Sequence, residues 1–177
     1  MRVVAGAFGG LRLVAPRGRA TRPTSDRVRE ALFSILAGSV LDARVLDLFA
    51  GSGALAIEAL SRGASIAVLV DSSAAAVAAI RRNLAAVGVD AEVRRQGALT
   101  YLEAARRDAR LYDLVFLDPP YRHASTLGQE LSAALGPVLA PGARVVAESD
   151  RRTPLELDLG LLDERRYGDT LIRIYGS

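Results

Sequence analysis

The sequence contains no cysteine, no lysine and a single histidine, His123, among its 177 residues. Without cysteine it can form neither disulfides nor thiolate metal sites, and one histidine is too few for a histidine-based metal centre. We therefore expect no bound metal. His123 is interpreted as an exposed polar residue at the start of a helix, with a catalytic role as the alternative.

Long apolar stretches are also missing, so the sequence predicts no membrane span. The first fifteen residues make a poor signal peptide because Arg12 and three glycines interrupt them. A chain of this length is most simply one domain with a full core. We expect a cytoplasmic protein that acts as a monomer.

Positive charge is concentrated near the amino terminus. The net charge is +3, yet residues 1–30 hold seven arginines against Asp26 and Glu30, which gives +5. Such a cluster is typical of nucleic-acid contacts, although charge runs are more often solvated surface. The arginines predicted to contact RNA or DNA phosphates are Arg2, Arg12, Arg17, Arg19 and Arg22.

A glycine turn follows the first long apolar run, Val45 to Ala50. Gly51 and Gly53 allow the backbone to bend and approach a ligand closely, while the helix that follows favours an anionic group at its start. The spacing also satisfies a dinucleotide fingerprint. Asp47 argues against that interpretation, because its carboxylate would repel a pyrophosphate and attract an ammonium group. The alternative for Asp47 is a carboxylate bonded to loop N–H groups.

Asp71 ends the next apolar run and lies twenty residues after Gly51. An acid at this distance binds the ribose in nucleotide-binding βαβ units. Its alternative role is to cap the helix that begins near Ser72 or Ser73. S-adenosylmethionine carries a ribose, an ammonium and a carboxylate, so it matches Asp71, Asp47 and the glycine turn group by group.

A third apolar run, Leu114 to Leu117, ends in Asp118-Pro119-Pro120-Tyr121. The Asp118 carboxylate and the Pro119 carbonyl, whose direction the prolines fix, can accept both hydrogens of one exocyclic amine. Tyr121 offers a face on which a base can stack. Alternatively, the prolines only end a strand and Asp118 caps the next helix.

Strands and helices are predicted to alternate from Val45 onward, which indicates an α/β fold with a mostly parallel sheet. The predicted strands cover 45–50, 66–71, 91–95, 112–117 and 143–148, and the helices cover 53–62, 73–87, 98–107 and 124–136. An earlier helix begins after the start signals at residues 23–26. The tail, 161–167 and 170–175, is predicted to be an antiparallel hairpin. Residues 3–5 and 11–14 predict a small basic β-hairpin outside the main domain.

Together these motifs resemble the class I S-adenosylmethionine-dependent methyltransferases, whose sheet is Rossmann-like. The segment Thr21 to Phe33 further resembles the bacterial 16S rRNA methyltransferases that modify N2 of guanine 966. The resemblance implies S-adenosylmethionine as cofactor and 16S rRNA as partner, free or within a partly assembled small ribosomal subunit. Residues 1–22 would form an RNA-contacting extension and 23–177 the methyltransferase domain.

The resemblance also implies the roles of individual residues. Gln96-Gly97 stands where this family usually has an aspartate that holds adenine, so the backbone of Ala98 is expected to serve instead. The expected catalytic residues are Asp118, Pro119, Pro120 and Tyr121. The expected cofactor-binding residues are Asp47, Phe49, Gly51, Gly53, Asp71 and Ala98.

Other functions stay open at this point. A DNA adenine or cytosine amino-methyltransferase would use the same Asp-Pro-Pro-Tyr motif, but 177 residues leave no room for a target-recognition domain. A protein glutamine methyltransferase is chemically feasible, although the basic segment favours nucleic acid. A nicotinamide oxidoreductase or a catalytically silent RNA-binding module would belong to a different class.

Overall fold

The computed structural model describes residues 1–16, 25–119 and 124–177. The described residues form a sheet of seven strands in the order β3-β2-β1-β4-β5-β7-β6. The strands are β1 (Arg44–Leu48), β2 (Ile66–Val70), β3 (Glu92–Arg94), β4 (Tyr112–Leu117), β5 (Leu139–Asp150), β6 (Gly160–Tyr167) and β7 (Thr170–Gly176). The helices are α1 (Asp26–Ile35), α2 (Ala54–Ser61), α3 (Ala74–Val87), α4 (Ala98–Arg107) and α5 (Ala124–Leu135), with 3₁₀ turns at Ala37–Ser39 and Gly136–Val138.

The predicted fold class is confirmed. Strands β1 to β5 are parallel, and β7 pairs antiparallel with both β5 and β6. The hairpin β6–β7 turns at Gly168-Asp169, where Gly168 has a φ of 63° that glycine adopts without strain. The C-terminal hairpin therefore closes one side of a Rossmann-like parallel sheet.

Alternating side chains of the central strands build a core on each face of the sheet. Val45 and Phe116 pack with α1, α2 and α3 on one face, and Leu46 and Leu117 pack with α4 and α5 on the other. Since β2 and the Leu114–Leu117 part of β4 are apolar on both faces, their sequences read as continuous apolar runs. Helices cover both faces, as the alternation of elements predicted.

Residues 1–16 pack against this domain and not outside it, which differs from the sequence prediction. They form a hairpin-like turn with a single bridge between Arg2 and Arg12. Val3 and Leu13 are buried in the same core as α2 and α3. The fully buried Glu58 carboxylate accepts the N–H groups of Val4 and Ala5 at 2.6 and 3.0 Å. We call residues 1–16 the N-terminal segment.

Helix α1 begins one residue after its cap. The Ser25 side chain accepts the N–H of Val28, and Asp26 occupies the first turn, where a negative charge is favourable. Two of the start signals, Pro23 and Thr24, lie outside the described residues. No helix in the described part of the chain is long and apolar enough to cross a membrane.

Candidate active site at the carboxyl ends of the strands

Strand register brings Asp71, Asp118 and the loop after Leu48 to one edge of the sheet. Leu48 in β1 aligns with Val70 in β2 and with Leu117 in β4. The next residues, Asp71 and Asp118, therefore lie on either side of the loop that leaves β1. From β1 the chain first forms β2 and β3 on one side of β1, and it then crosses to form β4 on the other side. This is the switch point at which open α/β sheets bind ligands.

The turn Phe49–Gly53, which we call the glycine loop, has backbone angles in the left-handed region, which glycine adopts without strain. Phe49, Gly51 and Gly53 all have positive φ, at 65°, 58° and 77°. The N–H of Ala50 donates to the Val70 carbonyl at 3.0 Å and fixes the loop to β2. A Cβ on Gly53 would lie 2.7 Å from Cδ2 of Leu69, so a side chain there would clash as well as strain the backbone.

Asp71 is buried and holds the glycine loop directly. One carboxylate oxygen accepts the N–H of Gly51 at 2.9 Å, and the other accepts the N–H of Ser73 at 2.8 Å. The cap of α3 is Ser73, whose hydroxyl accepts the Ala76 N–H. Asp71 is therefore not the residue that caps α3. Since a carboxylate offers about four acceptor sites, Asp71 can bond a ribose hydroxyl in addition to these N–H groups.

Asp47 lies within β1, one residue before its end, and only 2% of its surface is exposed. Its carboxylate accepts the N–H of Ala56 in the first turn of α2 at 3.3 Å. Burial raises the pKa of Asp47 to about 7; the Ala56 bond opposes this shift and the negative charge of Asp71 adds to it. The bond to a helix N–H fits the alternative role, and the ammonium contact of Asp47 stays a prediction.

Replacing Asp47 by asparagine is expected to change how stability depends on pH. The pKa is about 7 in the folded chain against a usual 3.8, so the stability that this group contributes is fully present below about pH 4. It is lost as the pH rises through 7. Asp47→Asn removes this titration. The free energy of unfolding of the variant should therefore fall less between pH 5 and pH 8 than that of the wild type. Urea unfolding at both pH values measures the slope, and equal slopes in both proteins would contradict the assignment.

Ala98 is the buried first residue of α4. The cap residue, Gly97, has no side chain that could accept the first N–H groups of the helix. The first N–H groups of a helix lack partners within that helix. Ala98 packs in the same apolar cluster as Val70, near the end of β2. The adenine contact of its backbone stays a prediction.

Asp118 is half-buried directly after β4, and Pro119 is buried. Pro120, Tyr121 and His123 lie outside the described residues, and so do Arg17, Arg19 and Arg22. Arg2 and Arg12 are exposed beside each other at the bridge of the N-terminal segment, and Arg2 Nε lies 3.3 Å from an Asp26 carboxylate oxygen. The roles of all these residues stay predictions.

Two buried polar residues near the site were missed from the sequence. Leu117 aligns with Ala147 in β5, so Glu148 lies beside Asp118 at the same edge. Glu148 is 5% exposed, and it follows an apolar run as Asp71 and Asp118 do, which is a signal that could have found it. Asn83 in α3 donates a hydrogen bond to the Ser52 carbonyl in the glycine loop at 2.8 Å. Nothing in the helical pattern indicates that contact.

A family model described as "Conserved hypothetical protein 95" matches residues 1–176. The chain belongs to this family. It is 33% identical to the ribosomal RNA small subunit methyltransferase D of Haemophilus influenzae over 99% of this chain and 93% of that protein. The protein of the same name from Escherichia coli K12 is 41% identical over 69% of this chain and 61% of its own length.

Solved structures show the same fold. A hypothetical protein of Thermus thermophilus matches with a TM-score of 0.88 and 31% identity, covering 100% of this chain and 99% of that one. The T. thermophilus 16S rRNA N2 G1207 methyltransferase, solved with AdoMet and guanosine, matches with a TM-score of 0.72 and 22% identity over 91% of this chain and 44% of that one. The resemblance to class I methyltransferases is confirmed.

Proposed function

We propose that this protein transfers a methyl group from S-adenosylmethionine to the exocyclic N2 of a guanine in 16S rRNA, as in the guanine-966 enzymes that it resembles. The observation that carries the proposal is the convergence of Asp71, the glycine loop and Asp118-Pro119 at one edge of the sheet. A cofactor site and an amine site would then adjoin, as methyl transfer requires.

The described residues fit S-adenosylmethionine, which supplies a methyl group on a positively charged sulfur. Asp71 can accept the ribose hydroxyls while it keeps its bonds to Gly51 and Ser73. The buried carboxylate of Asp47 favours a nearby cation, because a positive charge would stabilise its ionised form. The N-terminal end of α4 at Ala98 offers N–H donors for the adenine ring.

The amine site would position a weakly nucleophilic nitrogen. The lone pair of guanine N2 is delocalised into the ring, so the site must hold the amine with its lone pair directed at the methyl group. Asp118 and the Pro119 carbonyl would accept the two amine hydrogens, and Asp118 would take the proton released after transfer. Tyr121 would fix the ring by stacking, once the base has been turned out of the RNA.

Binding to RNA would fall to the arginine-rich residues 1–22, of which residues 1–16 pack against the methyltransferase domain 23–177. The names of the relatives support ribosomal RNA as the substrate class. Phosphate contacts could offset the few kcal/mol needed to unstack the target base. Because the N-terminal segment packs on α2 and α3, its exposed Arg2 and Arg12 would be held in a fixed position relative to the site.

The proposal is tested by offering tritiated S-adenosylmethionine and four acceptors: 16S rRNA, 23S rRNA, duplex DNA and a glutamine-containing peptide. We expect label in 16S rRNA, and we expect calorimetry to detect binding of S-adenosylhomocysteine but not of NADH. Parallel reactions with naked RNA and a partly assembled small subunit identify the preferred form. Label in DNA or in the peptide alone would overturn the proposal.

Neutralising Arg12, Arg17 and Arg19 together to glutamine should weaken RNA binding and flatten its dependence on salt. Each lost phosphate contact should reduce the slope of log K against log salt by about 0.7 to 0.9. The matched control replaces Arg81, Arg106 and Arg107, which are exposed on α3 and α4 and change the charge equally. Equal salt slopes for the two triple variants would mean that the N-terminal cluster is ordinary solvated surface.

A further inference from the structure

Asn83 joins the N-terminal segment to the glycine loop. Its side chain lies in α3 and is 1% exposed. Oδ1 accepts the N–H of Val14 at 2.8 Å, and Nδ2 donates to the Val14 carbonyl at 3.0 Å. The other hydrogen of Nδ2 goes to the Ser52 carbonyl at 2.8 Å. Both donors of the carboxamide are thus used, one for the segment and one for the loop.

Among the described residues, Glu58 and Ser61 also anchor the segment, but their side chains make no hydrogen bond to the glycine loop. Glu58 accepts two N–H groups of the segment. Ser61 Oγ accepts the N–H of Phe8 at 2.9 Å and donates to the Ala5 carbonyl at 2.5 Å. A second, weaker contact to the loop is the Ser52 hydroxyl, which donates to Met1 Sδ at 3.3 Å. Asn83 is therefore the anchor that holds the segment and the loop with one side chain.

These contacts link the arginine-rich segment, proposed to bind RNA, with the glycine loop, proposed to bind the cofactor. Val14 stands three residues before Arg17, within the arginine cluster, and Ser52 stands between the two glycines of the loop. A shift of Val14 that broke its pair with Asn83 would leave buried polar groups without partners, which is unfavourable. The same shift would loosen the support of the Ser52 carbonyl. The observed position of Val14 and the observed position of the Ser52 carbonyl therefore stabilise each other.

We propose that Asn83 is a positioning residue that couples the N-terminal segment to the cofactor loop, so that RNA and S-adenosylmethionine each strengthen the binding of the other. This inference rests on the proposed function for its RNA partner. The coupling is reciprocal by thermodynamic necessity. A protein built this way would engage RNA most tightly when the cofactor is already bound.

The test measures the dissociation constant of S-adenosylhomocysteine with and without saturating 16S rRNA. For the wild type we expect RNA to tighten binding by about 5-fold or more, the lower end of usual allosteric coupling. Asn83→Ala should reduce this factor to below about 2-fold. The matched control, Ser61→Ala, also removes two bonds to the segment but none to the loop, and it should keep the wild-type factor.

A second measurement on the wild type needs neither a variant nor RNA. Hydrogen exchange of the Val14 amide should slow when S-adenosylhomocysteine alone is added, because ordering the loop fixes Asn83. Unchanged exchange at Val14, or equal coupling factors in Asn83→Ala and Ser61→Ala, would overturn the inference. Slowed exchange in a protein that does not methylate RNA would retain the coupling and reject the proposed function.

Discussion

Replacing Asp118 by alanine is expected to abolish methyl transfer while the affinity for S-adenosylhomocysteine stays within a few-fold of wild type. Positioning of reacting groups can contribute ~7–11 kcal/mol to lowering a barrier, and misplacement by about 1 Å already costs about 100-fold. Asp118 would orient the amine, whereas Asp71 and the glycine loop would hold the cofactor. Single-turnover rates at saturating RNA measure the chemical step, and calorimetry measures the affinity.

The same strand provides the control for this variant. Asp113, near the amino end of β4, pairs with Arg44 at 2.8 Å and is partly exposed. Asp113 accepts two hydrogen bonds from the Arg44 guanidinium and one from the Arg44 backbone N–H, so Asp113→Ala should lose stability but keep its turnover. Each variant removes one aspartate carboxylate, and the two aspartates lie at opposite ends of β4. Turnover of Asp118→Ala at the level of Asp113→Ala would remove the amine-site hypothesis.

Replacing Asp71 by alanine is expected to weaken cofactor binding by about 10-fold to 150-fold. Loss of a hydrogen bond to a charged group costs about 1.5–3 kcal/mol, and each 1.4 kcal/mol is a factor of ten. The structure adds a second cause, because the variant also frees the Gly51 N–H and thereby loosens the glycine loop. Titration calorimetry with S-adenosylhomocysteine gives the dissociation constant.

Ser73→Ala separates the cofactor role of Asp71 from its support of the local structure. Ser73 caps α3, and losing such a cap costs about 0.5–2 kcal/mol of stability. We expect this variant to unfold at a lower temperature and yet to bind the cofactor like wild type. If Asp71→Ala behaved in the same way, Asp71 would be only a structural support for the loop.

The parallel sheet could be predicted because most residues of its central strands are apolar and the strands end in recognisable turns. The strand predicted at 66–71 is observed at Ile66–Val70, and the one predicted at 112–117 is observed at Tyr112–Leu117. The acids that follow such runs, Asp71 and Asp118, could be assigned to one edge because parallel strands end together. Local sequence was therefore sufficient for the parallel sheet and for placing Asp71 and Asp118 at one edge of it.

The packing of the N-terminal segment could not be predicted, because it depends on partners more than fifty residues away. Glu58 reads as a surface residue of α2, yet it is fully buried by Val4 and Ala5, whose N–H groups it accepts. Asn83 reads as an ordinary helical residue, and its role comes from contacts with Val14 and Ser52. Backbone hydrogen bonds to a buried side chain leave no periodic pattern in the sequence.

The most direct test of the central claim is to identify the nucleoside that carries the transferred methyl group. Wild-type protein is incubated with tritiated S-adenosylmethionine and 16S rRNA that lacks base modifications, and the RNA is digested to nucleosides and separated. We expect the label to migrate with N2-methylguanosine and to be absent with Asp118→Ala. Label in methyladenosine or methylcytidine, or unlabelled RNA from a protein that binds S-adenosylhomocysteine, would contradict the proposed function.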